Sequence, residues 1–234
     1  MAQPFDADRL KLAGETVVVA EGIGSVLTIG FFSISDSGVL VYRTGSVPYQ
    51  LSWFDQRGRR LGTAGEPGAY IAIALSPDGT RAIVCRSDSP NANAGLWLID
   101  LSRGKSTRFT FGSSFAPVGI WSPDGTRIIF GSGPITRLDL YQKLASGVRD
   151  EELLLESNEL KLPTSWSRDG RFLLYSKQDL TTRKTELWVL ALEGDKKPIP
   201  LLRTQFNNND GRFSPDGRLV AYTSDESGRS EVCA

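Results

Sequence analysis

Four copies of the pattern Ser-x-Asp-Gly decide the fold of this 234-residue chain. The copies read Ser76-Pro77-Asp78-Gly79, Ser122-Pro123-Asp124-Gly125, Ser167-Arg168-Asp169-Gly170 and Ser214-Pro215-Asp216-Gly217. A weaker fifth copy, Ser35-Asp36-Ser37-Gly38, precedes them, and the successive glycines are 41, 46, 45 and 47 residues apart. A repeat whose period lies in the forties is typical of the blades of a β-propeller.

The repeated pattern has the chemistry of a tight turn. Proline fixes φ at about −65° at the first corner of the turn, and aspartate bonds to nearby backbone N–H groups. Glycine then takes the left-handed conformation that other residues resist. Apolar residues stand on both sides of each copy, so each is predicted to join the first two strands of a blade. We therefore interpret the four aspartates as turn-formers spread around a ring, not as converging acid–base groups.

A third and a fourth strand are predicted after each hairpin. The third strands are 51–54, 96–101, 139–142 and 186–190, and the more polar fourth strands are 106–110, 152–155 and 199–202. Pro198 and Pro200 suit an outer edge strand, because proline cannot donate a ladder hydrogen bond.

The fold class predicted from this pattern is an all-β β-propeller of four-stranded antiparallel blades. We expect about four complete blades together with partial terminal blades. The predicted units are a partial blade at residues 1–24, blades at 25–68, 69–114, 115–158 and 159–205, and a partial blade at 206–234.

All five tryptophans fall in two positions of the repeat. Trp121 and Trp166 precede a turn serine, while Trp53, Trp97 and Trp188 lie on third strands, where another blade has Tyr141. A functional cluster of aromatic residues would not need to follow the repeat. We therefore predict that these rings pack between neighbouring sheets.

The composition is that of a globular domain with balanced charge. Hydrophobic residues make up 40% of the chain, and 27 acidic side chains balance 27 basic ones. This balance argues against a nucleic-acid partner, since polyanion-binding surfaces are basic. No apolar run reaches the roughly 18 residues of a membrane span, which predicts no direct membrane insertion. The first residues lack the features of a signal peptide, so the sequence as it stands suits the cytoplasm, with the compartment otherwise open.

The sequence analysis assigns no catalytic, cofactor-binding or metal-binding residue. Histidine is absent, which excludes Ser-His-Asp and Cys-His nucleophile systems and most zinc sites within the chain. Neither Gly-x-Gly-x-x-Gly nor Gly-x-Ser-x-Gly occurs. The run 207–210 offers oxygen ligands but not the spacing of a calcium loop, so a polar connection between blades is favoured. Cys85 and Cys233 lie in different predicted blades, which favours two free thiols over a disulfide.

The Ser-Pro-Asp-Gly hairpin followed by a Leu-Trp or Leu-Tyr strand resembles the WD-like repeat of the TolB propeller family, over about residues 32–234. A narrower resemblance is to the C-terminal propeller of bacterial eukaryotic-type serine/threonine kinases. It rests on segments 1–6, 32–43, 65–68, 107–110 and 224–232. In those kinases the propeller follows a kinase domain and a membrane helix, which implies an extracytoplasmic sensing or binding role. Kinase motifs are absent here, so the resemblance implies no kinase activity.

The resemblance also implies an incomplete ring. In kinase propellers a strand precedes the segment that matches residues 1–5, and further blades follow the segment that matches Glu231-Val232-Cys233-Ala234. We therefore expect a fragment that forms an open arc, whose exposed terminal blades favour self-association and poor solubility. The alternative is a closed five-bladed ring in which residues 15–20 pair with residues 230–234.

The predicted function is a non-catalytic binding or sensor module, not an enzyme and without a cofactor. Propellers bind through loops on a flat face or at the mouth of the axial channel, so a protein or small-molecule ligand is expected there. Two alternatives stay open. One is the propeller that accompanies a prolyl-oligopeptidase-type peptidase, which requires a hydrolase domain. The other is a TolB-like envelope protein, which requires an export signal.

Overall fold

The computed structural model describes residues 49–87, 94–111, 114–148 and 150–233, together with residues 39–43, residue 15 and short strand segments before them. Throughout these residues the regular secondary structure is β-strand, and no helix occurs among them. The antiparallel sheets are arranged as the blades of a β-propeller. The predicted fold class is confirmed.

The first two blades share one long strand. Ahead of them, β1 (Phe5–Asp6) pairs with β2 (Lys11–Leu12), and β3 (Ser25–Val26) pairs with β4 (Ile29–Gly30). Blade one comprises β5 (Phe32–Ile34), β6 (Leu40–Arg43), β7 (Tyr49–Phe54) and the first part of β8 (Arg60–Leu75). Blade two comprises the rest of β8, followed by β9 (Arg81–Ser87), β10 (Gly95–Asp100) and β11 (Lys105–Arg108). Because β8 runs through both blades, they form one seven-stranded sheet.

The remaining sheets follow in chain order. Blade three comprises β12 (Gly119–Trp121), β13 (Arg127–Ser132), β14 (Asp139–Leu144) and β15 (Glu152–Leu155). Blade four comprises β16 (Leu160–Trp166), β17 (Phe172–Gln178), β18 (Thr185–Ala191) and β19 (Pro198–Leu202). A fifth, partial blade has three strands, β20 (Asn208–Phe213), β21 (Val220–Ser224) and β22 (Glu231–Cys233). The first strand of each of the five blades is the innermost one, since β5, β8, β12, β16 and β20 contact one another in turn.

Each of the four strong turn copies joins the first two strands of a blade, as predicted. They connect β8 with β9, β12 with β13, β16 with β17 and β20 with β21. The turn glycines Gly79, Gly125, Gly170 and Gly217 have φ values of 69°, 68°, 79° and 70°, which is the left-handed region. The fifth copy, at residues 35–38, lies outside the described residues, although the strands on either side of it are paired.

We expect Gly125→Val to lower the free energy of unfolding by about 1–3 kcal/mol, because a β-branched residue resists positive φ. A Cβ at this position would meet only Pro77 Cδ, at 3.6 Å, so backbone strain and not crowding sets the loss. Denaturant unfolding measures it. Gly125→Asn is the control, since asparagine tolerates the left-handed region. Equal stability of the two variants would contradict this account of the turn.

The core lies between the blades, so central strands are apolar on both faces. Successive side chains of a strand point to opposite faces of the sheet. On β13, Ile128 and Phe130 pack towards blade two, while Ile129 packs towards blade four. On β9, Val84 packs towards blade one and Ile83 towards blade three. This double packing explains why the second strands are unbroken apolar runs in the sequence.

The predicted packing of the tryptophans between sheets is confirmed. Trp53 and Trp97 pack against the core between blades one and two, and Trp121 belongs to the core between blades two and three. Trp166 and Trp188 pack against the core between blades three and four. The two repeat positions are therefore places where a large flat ring fills the space between twisted sheets.

The interpretation of residues 207–210 as a connection between blades is wrong for most of the run. Asn208, Asn209 and Asp210 begin β20, the innermost strand of the fifth blade. Asn208 is 2% exposed, and its amide donates to Thr204 Oγ1 at 2.9 Å. Pairing with β21 and satisfaction of the buried amide outweigh the weak strand preference of asparagine.

Both cysteines are free thiols, as predicted. Cys85 is buried in β9 and Cys233 is half-buried in β22. Burial raises the pKa of the Cys85 thiol to about 12, so the reactive thiolate is scarce at neutral pH.

Residues 16–20 lie outside the described residues, and closure of the ring by their pairing with residues 230–234 stays a prediction.

Candidate binding site at the mouth of the axial channel

The innermost strands β8, β12, β16 and β20 end side by side at the four turns. Hydrogen bonds join neighbouring blades at this end. The Trp121 Nε1–H donates to the Ala74 carbonyl at 3.1 Å, and the Phe213 N–H donates to Ser165 Oγ at 3.1 Å. A cleft of about 430 Å³ opens where the strand ends converge, and residues of all four turns line it, among them Pro77, Pro123, Arg168 and Pro215. We call this cleft the channel mouth, because it lies where the innermost strands of neighbouring blades end.

The four turn aspartates are held inside their own turns. In each copy the serine hydroxyl donates to the aspartate Oδ1 at 2.5–2.6 Å. The same Oδ1 accepts a backbone N–H from two residues further on, at 3.0–3.1 Å. These bonds lower the pKa of all four carboxyls, and those from Ser167 and Arg171 bring the pKa of Asp169 to about 2. The carboxylates are therefore ionised and engaged, as their interpretation as turn-formers requires.

Acid is expected to destabilise the protein between about pH 4 and pH 2. The pKa of each turn aspartate is lower in the folded state than in the unfolded state, so protonation in this range favours unfolding. The contribution is complete above the unfolded pKa of aspartate, about 3.9, and is lost as pH falls through the folded pKa. We expect Asp169→Asn to flatten the pH dependence of the free energy of unfolding in this window, measured by urea denaturation. Glu193→Gln, at an exposed residue, is the control. Equal flattening by both variants would contradict the prediction.

Aromatic rings form part of the wall of the cleft. Trp121, Trp166 and Phe213 occupy the repeat position directly before the turn serine. The Trp166 Nε1–H donates to the Gly170 carbonyl at 2.9 Å, and the Arg81 guanidinium lies over the Trp121 ring, 4.9 Å from its centroid. Both indole rings are thus held in place by the fold, and a ligand meets a preformed aromatic surface.

Two arginines bring positive charge to the same cleft. Arg168 is exposed at the turn corner where the other three copies have proline. Among the described residues it forms no hydrogen bond and no ion pair. Arg212 lies near the end of β20, and its Nη1 donates to the Thr164 carbonyl of the neighbouring blade. Arg168 therefore carries the charge that is available to a ligand.

A buried hydroxyl accompanies Arg212 in the wall. Thr164 is 5% exposed and lines the cleft, and its Oγ1 has no hydrogen-bond partner in the part of the chain that is described. An unpaired buried hydroxyl costs about 1–3 kcal/mol, so folded proteins contain few of them. The wall thus retains a polar group that the fold itself does not use.

A second, smaller cleft of about 210 Å³ lies between the turns of blades three and four. Trp166 and Arg168 line both clefts. Because they stand where the two clefts meet, the ring and the guanidinium can contact a molecule that extends from the channel mouth outwards between the blades.

Sequence reasoning assigned no residue to a site and so missed this convergence. The prediction for Trp121 and Trp166 covers their packing but not their second role in lining the cleft. The signal that could have found the site is departure from the repeat. Arg168 replaces proline, and Arg212 occupies a position where blade two has Ala74 and blade three has Ile120.

The described residues include no cluster of three or more Cys, Asp or Glu side chains that could hold a metal ion. The same residues contain no helix long and apolar enough to cross a bilayer. The assignments of no catalytic residue, no cofactor and no metal ligand stay predictions.

Comparison with known proteins identifies the family. The model of the TolB beta propeller domain matches residues 55–234, which is most of the chain. This protein belongs to the TolB β-propeller family.

Solved structures share the fold at low sequence identity. TolB from Acinetobacter baumannii has a TM-score of 0.69 at 20% identity, over 86% of this chain and 50% of that chain. A TolB-type protein from Agrobacterium tumefaciens has a TM-score of 0.68 at 20% identity, over 83% and 69%. An acylaminoacyl peptidase from Pyrococcus horikoshii has a TM-score of 0.62 at 14% identity, over 86% and 36%. The chain thus spans about half the length of the Acinetobacter protein, and these likenesses concern the fold alone.

Proposed function

We propose that this protein is a non-catalytic propeller module that binds its ligand at the mouth of the axial channel. The observation that carries the proposal is the 430 Å³ cleft, in which fixed aromatic rings adjoin Arg168, which is exposed and has no partner among the described residues. Aromatic and arginine side chains dominate the energetics of binding surfaces. Concave sites with a few polar groups among apolar walls are the usual form of ligand sites.

The finer proposal is that the module is the sensor region of a bacterial serine/threonine kinase. Its support is the likeness of segments such as 38–43 and 224–232 to the propellers of those kinases. In that setting the propeller is extracytoplasmic, and ligand binding at the channel mouth is the input signal.

Two other settings use the same fold. The likeness to an acylaminoacyl peptidase supports a propeller that accompanies a peptidase domain, and the likeness to TolB supports an envelope protein. The genes next to this one distinguish the three settings. A kinase frame upstream, a hydrolase frame downstream and a Tol-type envelope cluster would each favour one of them.

Peptide display on the purified chain tests the binding site. We expect selected peptides to lose about tenfold or more in affinity for Pro215→Trp, because an indole at this corner fills the cleft. The third turn forms with arginine at the same corner, so the turn tolerates a residue other than proline. Ser227→Trp, at an exposed residue beyond the other end of β21, is the matched control. Binders that are insensitive to Pro215→Trp but lost in Ser227→Trp would overturn the proposal.

The absence of catalysis is part of the same proposal. We expect no turnover of peptide, ester, phosphoester or glycoside substrates by the purified chain, since it contains no histidine and no recognisable nucleophile motif. Activity that survives repurification and is abolished by a substitution within this chain would contradict it.

Self-association through the terminal blades also stays a prediction, and sedimentation velocity of the purified chain tests it.

A further inference from the structure

The charge pattern at the channel mouth singles out one guanidinium. Arg168 is exposed in the cleft and has no hydrogen-bond or ion-pair partner among the described residues. The nearest carboxylates in sequence and in the adjoining turn have partners of their own. Asp169 pairs with Arg171 at 2.7 Å, and Asp124 accepts from Ser122 and Thr126. The planar fork of Arg168 is thus left for an acceptor that the turns do not supply.

A second guanidinium, that of Arg212, lines the same cleft from an innermost strand. Arg212 donates through Nη1 to the Thr164 carbonyl, which leaves other N–H groups of its fork unused in the described residues. Burial lowers the pKa of Arg212, and the negative charge of Asp210, two residues earlier on β20, acts in the opposite direction. The mouth therefore combines one uncompensated guanidinium with one that is partly compensated. Such a balance suits a group with a single negative charge better than a dianion such as a phosphate monoester.

The uncharged residues of the cleft indicate which kind of ligand molecule carries the anionic group. Trp166 lies beside Arg168 in both clefts, with its ring held by the bond to Gly170. Thr164 adds a hydroxyl that is buried in the wall and has no hydrogen-bond partner within the described part of the chain. Together the two clefts form an elongated surface with an aromatic face, a hydroxyl and a guanidinium, which matches an extended peptide better than a compact ion.

We propose that the channel mouth recognises a carboxylate of an extended peptide segment, with Arg168 as the residue that binds the carboxylate. The inference rests on the proposed function, since it names the ligand of that same cleft. A carboxylate and a guanidinium form two parallel hydrogen bonds in one plane, a geometry that lysine cannot reproduce. The carboxylate is either the C-terminus of the peptide or an Asp or Glu side chain, and the test separates these sources.

Four pools of randomised, N-acetylated heptapeptides serve as probes. One pool is acidic and amidated at its C-terminus, one is neutral with a free C-terminal carboxylate, one is neutral and amidated, and one carries phosphoserine. Fluorescence anisotropy measures their affinity for the whole chain. We expect a carboxylate pool to bind about tenfold tighter than the neutral amidated pool, and the phosphoserine pool not to exceed it. Whichever carboxylate pool binds identifies the source.

Variants assign the preference to Arg168. Arg168→Pro restores the residue of the other three turns, so we expect it to fold and to lose the preference for carboxylate peptides. We expect Arg168→Lys to keep only part of the preference, because a point charge replaces the fork. Arg183→Gln removes an exposed charge in the turn between β17 and β18 and is the control for net charge. An unchanged preference in Arg168→Pro would overturn the assignment.

The outcomes also separate this inference from the proposed function. If all pools bind alike and Pro215→Trp abolishes their binding, the cleft is a ligand site but does not select carboxylates. If carboxylate peptides bind and neither Pro215→Trp nor Arg168→Pro changes their binding, both the location of the site and the role of Arg168 are wrong.

Discussion

Lys161→Met is expected to lower the free energy of unfolding by about 3 kcal/mol, at the lower end of the range for breaking a buried ion pair. Lys161 is 1% exposed, and its Nζ donates to Asp139 Oδ1 at 3.1 Å and to Ser157 Oγ at 2.6 Å. Without the ammonium group, the Asp139 carboxylate stays buried and loses its main partner. Arg137 Nε, 3.7 Å from Asp139 Oδ2, is too distant for a good hydrogen bond and compensates only in part.

Two further variants show whether the loss comes from the stranded charge. We expect Asp139→Asn combined with Lys161→Met to recover a large part of it, because no buried charge is then left without its partner. Lys177→Met breaks a more exposed pair with Glu159, at 3.2 Å, and should cost less than about 1 kcal/mol. Denaturant unfolding compares all of them. A double variant as unstable as the single one would show that lost packing, not the unpaired carboxylate, causes the effect.

Phe130→Ala is expected to cost about 3–5 kcal/mol, the usual range for truncating a fully buried phenylalanine. Phe130 is 0% exposed on β13, at the interface between blades two and three. Its ring meets Phe109 edge to face at a centroid distance of 6.0 Å and lies 6.1 Å from the Tyr141 ring. Truncation therefore leaves a cavity in the contact that holds the two blades together.

The control for Phe130 is an exposed phenylalanine of blade two. Phe111 is 67% exposed, so Phe111→Ala should change the free energy of unfolding by less than about 1 kcal/mol. Thermal and denaturant unfolding give the comparison. Similar small losses for both variants would mean that blades two and three do not pack through β13 in solution.

The local structure of the blades follows from the sequence with few gaps. Turn chemistry predicts the hairpins at Gly79, Gly125, Gly170 and Gly217, because left-handed φ and the Ser–Asp hydrogen bond depend on neighbouring residues only. Runs in which every residue is apolar, such as 128–130, predict strands that are packed against a neighbouring blade on both faces. The run 207–210 shows the limit of such reasoning, since Asn208 and Asn209 pair with β21 although both are polar.

The sequence alone predicted neither the candidate site nor the buried ion pair. Lys161 and Asp139 look like ordinary surface charges in the sequence, and only the meeting of β16 with β14 buries them together. Arg168, Arg212 and Thr164 come from different turns and strands of two sheets, and only the closeness of the innermost strands brings them into one cleft.

What the sequence by itself determined is the repeat: its turns, its strand order and the alternation of its core residues. All of these depend on contacts within about one blade, where chain neighbours are also neighbours in space. What only the tertiary structure decided is which departures from the repeat matter. Arg168 and Arg212 lie where strands from separate blades end at the axis, and distance along the chain carries no information about that meeting.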